Sequence, residues 1–185
     1  DIAFKIGPRI NAAGRINHSI QTFKLIISKN YNDAEKQYKI INQFNSDRRV
    51  IDQATTKEAI TQIKELGEEN LNTSVVYKKD WHKGVIGIVA SRLIETFYRP
   101  TVVFTSSGNN FVGSVRSIKD LDIYKVLESC KENIIQFGGH KYAAGLTIEA
   151  SKYKDFKNSF ESAVQKEIRA EQKHLTLNYD LEIDF

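Results

Sequence analysis

The sequence predicts an α/β protein, a mixed β-sheet with helices packed on it, preceded by one long connector helix. Three observations carry this reading. From Asn32 to Leu66 no glycine or proline interrupts a run whose apolar residues fall near helical spacing. After residue 72, short β-branched runs alternate with amphipathic stretches, the pattern of strands and covering helices. Hydrophobic residues make up 41% and charged residues 27%, the composition of a packed globular chain.

The elements follow in order. Residues 1–15 form a short motif-bearing piece that ends in Gly14-Arg15. Asn32-Asp33-Ala34-Glu35 reads as a capping box, with Asn32 as N-cap and Glu35 at the third helical position. Tyr38, Ile41, Phe44, Ile51, Ala54, Ala59 and Ile63 then mark the buried stripe. One helix over this span is roughly 50 Å long at 1.5 Å per residue. It is either a strut that projects from the sheet domain or two helices broken near Asn45-Ser46-Asp47. Thr73–Tyr77 reads as a strand and Gly84–Tyr98 as a helix stopped by Pro100. Thr101–Thr105 and Phe111–Val115 form a hairpin around Ser106-Ser107-Gly108-Asn109-Asn110. Asp122 caps a helix to about Glu132, Ala143–Ile148 is a strand, and Ser151 caps a last helix to about Gln172. Leu175–Ile183 alternates like a strand.

Composition narrows the function classes. No apolar run approaches the roughly 18–20 residues that span a bilayer, so a cytoplasmic protein is expected. The single Cys130 excludes an internal disulfide and an all-cysteine zinc site, and its apolar neighbours mark it as core. The four histidines, His18, His82, His140 and His174, stand far apart, without metal-ligand spacing. No phosphate-binding Walker loop and no nucleophile elbow occur. Net charge is +4, which permits an anionic partner without demanding one. The chain has no methionine and reads as a piece of a longer polypeptide.

Four strings could carry chemistry. In Phe137-Gly138-Gly139-His140-Lys141-Tyr142-Ala143-Ala144-Gly145, two glycines let backbone amides approach an anion, and His140 adds a donor. The same string also fits a plain Gly-Gly turn with an incidental histidine. Asp80-Trp81-His82-Lys83-Gly84-Val85-Ile86-Gly87 lies at the start of a helix, whose free amides suit phosphate. There Trp81 either stacks on a base or plugs the core. Val112-Gly113-Ser114-Val115-Arg116-Ser117 ends a strand with an arginine flanked by two hydroxyls, and arginine pairs bidentately with phosphate. Gly7-Pro8-Arg9-Ile10-Asn11-Ala12-Ala13-Gly14-Arg15 frames two arginines and an asparagine with small residues, either to meet a sugar-phosphate backbone or to pack a helical turn.

Together and in this order, GPRINAAGR, WHKGVIGIVASRL, GSVRS and GGHKYAAG resemble the RecJ family of single-strand-specific exonucleases, within the DHH phosphoesterase superfamily. The resemblance covers nearly the whole chain. It implies that residues 1–15 end the DHH catalytic domain, 16–70 form a helical connector, 71–173 form the DHH-associated substrate-binding domain, and 174–185 lead toward an OB-fold domain. One departure is Ile16, where the family often has methionine. In the family, Mn or Mg is bound by the N-terminal domain and activates water to hydrolyse a terminal phosphodiester. This stretch is therefore expected to hold no metal, no catalytic residue and no activity alone.

By the same resemblance, Arg116, Ser117, Gly138, Gly139 and His140 hold phosphate or sugar. Arg9, Asn11 and Arg15 line the cleft from the other side, and His82 is carried over on a looser match. The implied partner is single-stranded DNA, with degradation from the 5′ end in DNA repair and recombination, helicase or single-strand-binding proteins as further partners, and no membrane. Two alternatives remain. One is a phosphodiesterase for short oligonucleotides or cyclic dinucleotides, whose members usually lack the long connector. The other is a catalytically inactive nucleic-acid-binding scaffold.

Overall fold

The computed structural model describes residues 2–175. The tail strand expected over 175–183 falls almost wholly outside that range. Among the described residues, six α-helices and five strands make the fold. They are α1 Gly7–Ile16, α2 Ile20–Ile26, α3 Tyr31–Glu65, β1 Ser74–Tyr77, α4 Ile86–Phe97, β2 Thr101–Ser107, β3 Asn110–Arg116, α5 Ile123–Ser129, β4 Gln136–His140, β5 Ala143–Glu149 and α6 Tyr153–Glu167. The strands lie in the order β1-β2-β3-β5-β4, with β1 parallel to β2 and every other pair antiparallel. The single parallel pair is joined through α4, as a crossover connection requires.

Side chains alternate across a strand, so each face has its own layer. Val75, Val102, Phe104, Val115, Leu146 and Ile148 point to one face and bury against Leu127 of α5 and Phe156 and Phe160 of α6. Gly113 belongs to this face because a Cβ there would stand 2.6 Å from the Phe104 ring. Val76 and Val103 point to the other face and bury under Val89, Ala90 and Leu93 of α4. Cys130 is buried in the first layer.

α3 is one helix of 35 residues, unbroken at Asn45-Ser46-Asp47. Its N-cap is Asn30, whose side chain accepts from the Asp33 amide, and not Asn32. The expectation of a projecting strut is only half met. Ala59 and Ile63 lie in the α4 core layer. The Gln62 amide bonds both ways with the Tyr77 backbone, at 3.0 and 3.1 Å, and so occupies the open edge of β1 as a neighbouring strand would. The first half of α3 carries α1 and α2. Its buried stripe is apolar at the ends and polar in the middle: Ile41, then Asn45, Asp52 and Thr55, then Ala59 and Ile63.

Other boundaries also differ from expectation. α4 starts at Ile86 and ends with Tyr98 in the left-handed region (φ 45), just before Pro100. Asp122 caps α5 as expected, but α5 stops at Ser129. Ser151 caps nothing; it lies in a short 3-10 turn, and α6 runs from Tyr153 to Glu167. Residues 136–140 form an edge strand, not a turn.

Candidate nucleic-acid interface

α4 covers β1, β2 and part of β3 on its side of the sheet, while among the described residues no helix lies over β5 and β4 there. Three rows of paired residues make the uncovered surface. Val112, Thr147 and Gln136 form the first, Ser114, Gly145 and Gly138 the second, and Arg116, Ala143 and His140 the third. Directly paired residues share a face. Arg116 and His140 thus flank Ala143 on one surface, two strand spacings or roughly 10 Å apart between Cα atoms. The middle row is a floor. A Cβ on Gly138 would meet nothing within 4 Å, and one on Gly145 only the Gly113 carbonyl at 3.9 Å. Gly139 points the other way, and its Cβ would stand 2.3 Å from the Ala143 carbonyl. The two adjacent glycines therefore do different jobs: Gly138 leaves the surface open, and Gly139 lets β4 lie close on β5.

The fold fixes this surface from beneath. The two-residue link Lys141-Tyr142 is pinned to the segment that follows Arg116, because Ser117 N donates to the Tyr142 carbonyl at 3.0 Å and Ile123 N to the Lys141 carbonyl at 3.0 Å. The Ser117 hydroxyl donates to the Leu121 carbonyl at 2.8 Å and so helps shape that segment. His140 is exposed, and its Nδ1 accepts from the Tyr142 amide at 3.3 Å. With Nδ1 occupied, the neutral ring carries its proton on Nε2, as a donor facing solvent.

Arg116 is half-buried and folds back along β3, its Nη1 donating to Ser114 Oγ at 3.1 Å and to the Val115 carbonyl at 2.8 Å. Ser114 entered the sequence reading only as a hydroxyl flanking Arg116 and was not placed in the binding set. Its signal was its place two residues before Arg116, which puts both on one face of a strand. Gly87 makes room for the pair, since a Cβ there would sit 3.0 Å from both Arg116 Nη2 and Ser114 Oγ. Burial first, and then the charge of Arg15, push the Arg116 pKa below its ordinary value. Arginine keeps its proton regardless. Among the described residues no carboxylate pairs with Arg116, so an incoming anion would relieve the burial of its charge.

Arg15 reaches this region from α1, its Nη1 donating to the Gly84 carbonyl at 3.2 Å. Only a glycine fits at 84, because a Cβ would lie 2.0 Å from the Arg15 carbonyl. Pro8, Asn11, Ala12 and Arg15 share one face of α1 and, with Arg48 of α3 and Ile88 of α4, line a cavity of about 230 Å³. Arg9 lies on a different face of α1. Its Nε donates to Asn42 at 2.8 Å, it also bonds the Lys5 carbonyl, and it sits over the Tyr38 ring, so it holds α1 to α3 and is not brought together with Arg116.

His82 and Arg15 line an open pocket of about 740 Å³ with Lys79, Lys83 and Ser106. Its Nδ1 accepts from the Gly84 amide at 3.0 Å, which leaves Nε2 outward. Trp81 is only 6% exposed and donates to Glu58 at 2.8 Å, so it plugs the core and is not a stacking platform. Among the described residues, no group of three His, Cys, Asp or Glu side chains could hold a metal ion, and no helix is long and apolar enough to cross a membrane.

Comparison with known proteins agrees with this architecture. Residues 70–166, just over half of the chain, match the DHHA1 domain. The single-stranded-DNA-specific exonuclease RecJ of Bacillus subtilis is 35% identical over 159 residues, covering 85% of this chain and 20% of that protein. RecJ of Escherichia coli is 36% identical over 169 residues, 86% of this chain and 29% of that protein. The crystal structure of Thermus thermophilus RecJ in complex with Mn2+ superposes with a TM-score of 0.80 at 28% identity, over 89% of this chain and 24% of that one. The chain thus spans between a fifth and a third of the length of these relatives. The chain belongs to the DHHA1 domain family.

Proposed function

We propose that this chain is the strand-holding part of a RecJ-type, metal-dependent single-stranded DNA exonuclease. One observation carries the reading: Ser114, Arg116 and His140 stand around a glycine-floored, uncovered half-sheet. A flat floor without side chains admits a sugar-phosphate backbone, and its rim supplies a guanidinium, a hydroxyl and an imidazole donor for the phosphate oxygens. Arg15 and Asn11 face the same region from α1. Ser117 acts beneath the surface, through the turn it shapes. His82 serves a following phosphate, beside Lys79 and Lys83.

Hydrolysis belongs to the DHH part of the polypeptide, where Mn or Mg supplies the activated water. This chain's residues bind and orient the strand. The whole enzyme acts from the 5′ end in DNA repair and recombination, in the cytoplasm, with helicases or single-strand-binding proteins supplying its substrate. Nothing on the surface favours a cyclic dinucleotide: the floor is open along the sheet and not a closed cup.

The test is Arg116→Ala in the full-length polypeptide, with metal chelated and binding to a labelled single strand measured across salt concentrations. Affinity should fall about equally for different sequences. The slope of log K against log salt should shrink by roughly 0.7, one single-strand phosphate's worth of released counterions. Unchanged affinity and slope would overturn the reading.

A further inference from the structure

We propose that the cavity between α1, α3 and α4 is a second phosphate site for the same strand, with Arg48 of the connector helix as its central contact. The inference rests on the proposed function and extends it: α3 joins no two parts passively but binds nucleic acid itself.

The lining of the cavity is the first argument. Pro8, Asn11, Ala12, Arg15, Arg48 and Ile88 surround about 230 Å³. Two guanidiniums and one side-chain amide are its polar groups, and no carboxylate is among them. Such a set donates hydrogen bonds and accepts almost none, which suits an anion with several oxygens.

Preorganisation is the second. Arg48 Nη2 donates to Asn45 Oδ1 at 3.2 Å, and Nη1 lies 3.3 Å from Asp52 Oδ2. Both partners are buried on α3. The guanidinium is thus gripped along one edge, while its buried Nε has no acceptor among the described residues. A buried donor without an acceptor is uncommon and costly in a folded protein. What the grip leaves accessible is 16% of the Arg48 side chain, and it is this remainder that the cavity offers to an anion.

Charge is the third argument. Asp52 is fully buried and serves two arginines, Arg48 and Arg92. The contact to Arg92 is 2.8 Å from Nε to Oδ1, but the N–H does not aim at the oxygen, so it is an ion pair and not a good hydrogen bond. One carboxylate therefore faces two guanidiniums, and Arg15 adds a third within range. Burial, then Arg49, Arg15 and Arg92, all lower the Arg48 pKa against the opposing pull of Asp52. Arg15 acts on Arg116 in the same way. Arg15 lines the cavity with Arg48 and lies within electrostatic range of Arg116, so its charge is felt at both sites. A single strand carries a charge at every nucleotide and can satisfy both in turn.

The opposing idea is that Arg48 is only a clamp that seats α3 on α4 through Asp52. Two substitutions in the full-length polypeptide separate the ideas. Arg48→Gln should weaken binding of a single-stranded oligonucleotide several-fold at low salt, with metal chelated, and should reduce the salt slope by roughly 0.7. It should leave binding of a 5′-mononucleotide unchanged, because that ligand has only the phosphate at Arg116. Asp52→Asn should lower the unfolding temperature yet keep the wild-type slope, because every cation remains.

Wild-type affinity and slope in Arg48→Gln would overturn the proposal, while a continued loss in Arg116→Ala would leave the proposed function standing. Equal loss of slope in Asp52→Asn would reduce Arg48 to a clamp and overturn it too. Should Arg48→Gln not fold, arginine-selective modification of the wild-type protein decides. A bound oligonucleotide should protect Arg48 from phenylglyoxal, and an unchanged modification rate would refute the site.

Discussion

Gly138 and Gly139 stand side by side in one strand, yet their substitution should give opposite results. A Cβ on Gly138 points into open space over the uncovered face, and one on Gly139 would lie 2.3 Å from the Ala143 carbonyl and 2.5 Å from Ala144 Cα. Gly138→Val should therefore leave stability within about 0.5 kcal/mol of wild type, as substitutions at free surfaces do. It should nonetheless weaken single-strand binding, since it raises a side chain from the floor. Gly139→Ala should cost about 1–3 kcal/mol, because β4 must move off β5. Thermal unfolding and single-strand affinity measured on both variants check the pair; a Gly138→Val protein that binds like wild type would remove the floor from the argument. In the sequence the two glycines were indistinguishable. Strand-depleted residues hid β4 altogether, and only the register with Gly145 and Ala144 tells the glycines apart. Arg116 and His140 were legible because their residue types suit phosphate. Ser114 was less so, since its role depends on sharing a face with Arg116.

Among the elements, α3 was the most legible and its surroundings the least. Length without glycine or proline announced one long helix. Which side it buries was harder to read, because Asn45, Asp52 and Thr55 are polar residues in the middle of the buried stripe. A pattern search for apolar spacing passes over them and picks Ala54, which is exposed. Asp52→Ala should destabilise the protein by about 3 kcal/mol, toward the lower end for a broken buried ion pair, because Arg92 is 42% exposed and can rehydrate. Denaturant unfolding of the variant measures this. Glu58, further along α3, holds the loop after β1 through Trp81 Nε1 at 2.8 Å and Lys78 Nζ at 2.9 Å. The Trp81 hydrogen bond, followed by that of Lys78, keeps its carboxyl below the usual carboxylate range. A pKa lower in the folded than in the unfolded state adds stability above the unfolded value. That stability is lost as pH falls through the folded one. Glu58→Gln should accordingly lower the unfolding temperature at neutral pH, and the gap to wild type should close in acid. A gap that is constant with pH would show that the contact is indifferent to charge.

Across the whole molecule, the proposed binding equipment is assembled from parts distant in sequence. α1 brings Asn11 and Arg15, α3 brings Arg48, and the β3-β5-β4 half-sheet brings Ser114, Arg116 and His140. Gly84 and Gly87 are where these bodies touch, the first against the Arg15 backbone and the second against the Arg116 side chain. What the described residues do not assemble is a place for a metal ion. Binding and hydrolysis should therefore separate in this protein. The 185-residue chain, given a single-stranded oligonucleotide with Mn or Mg, should bind it weakly, in a salt-dependent way, and leave it intact. The weakness follows from holding one wall of a cleft: each phosphate contact made here releases counterions, but the strand's reacting end has no partner groups. Adding chelator should not change the affinity, since none of the contacts proposed for this chain passes through metal. Gel analysis of the oligonucleotide and anisotropy with and without chelator together decide the matter. Cleavage that a chelator abolishes, from a preparation free of contaminating nuclease, would show that this chain carries catalytic groups of its own and would overturn the separation. Affinity that collapses on chelation would place a metal within the binding surface itself, among residues assigned here to phosphate alone.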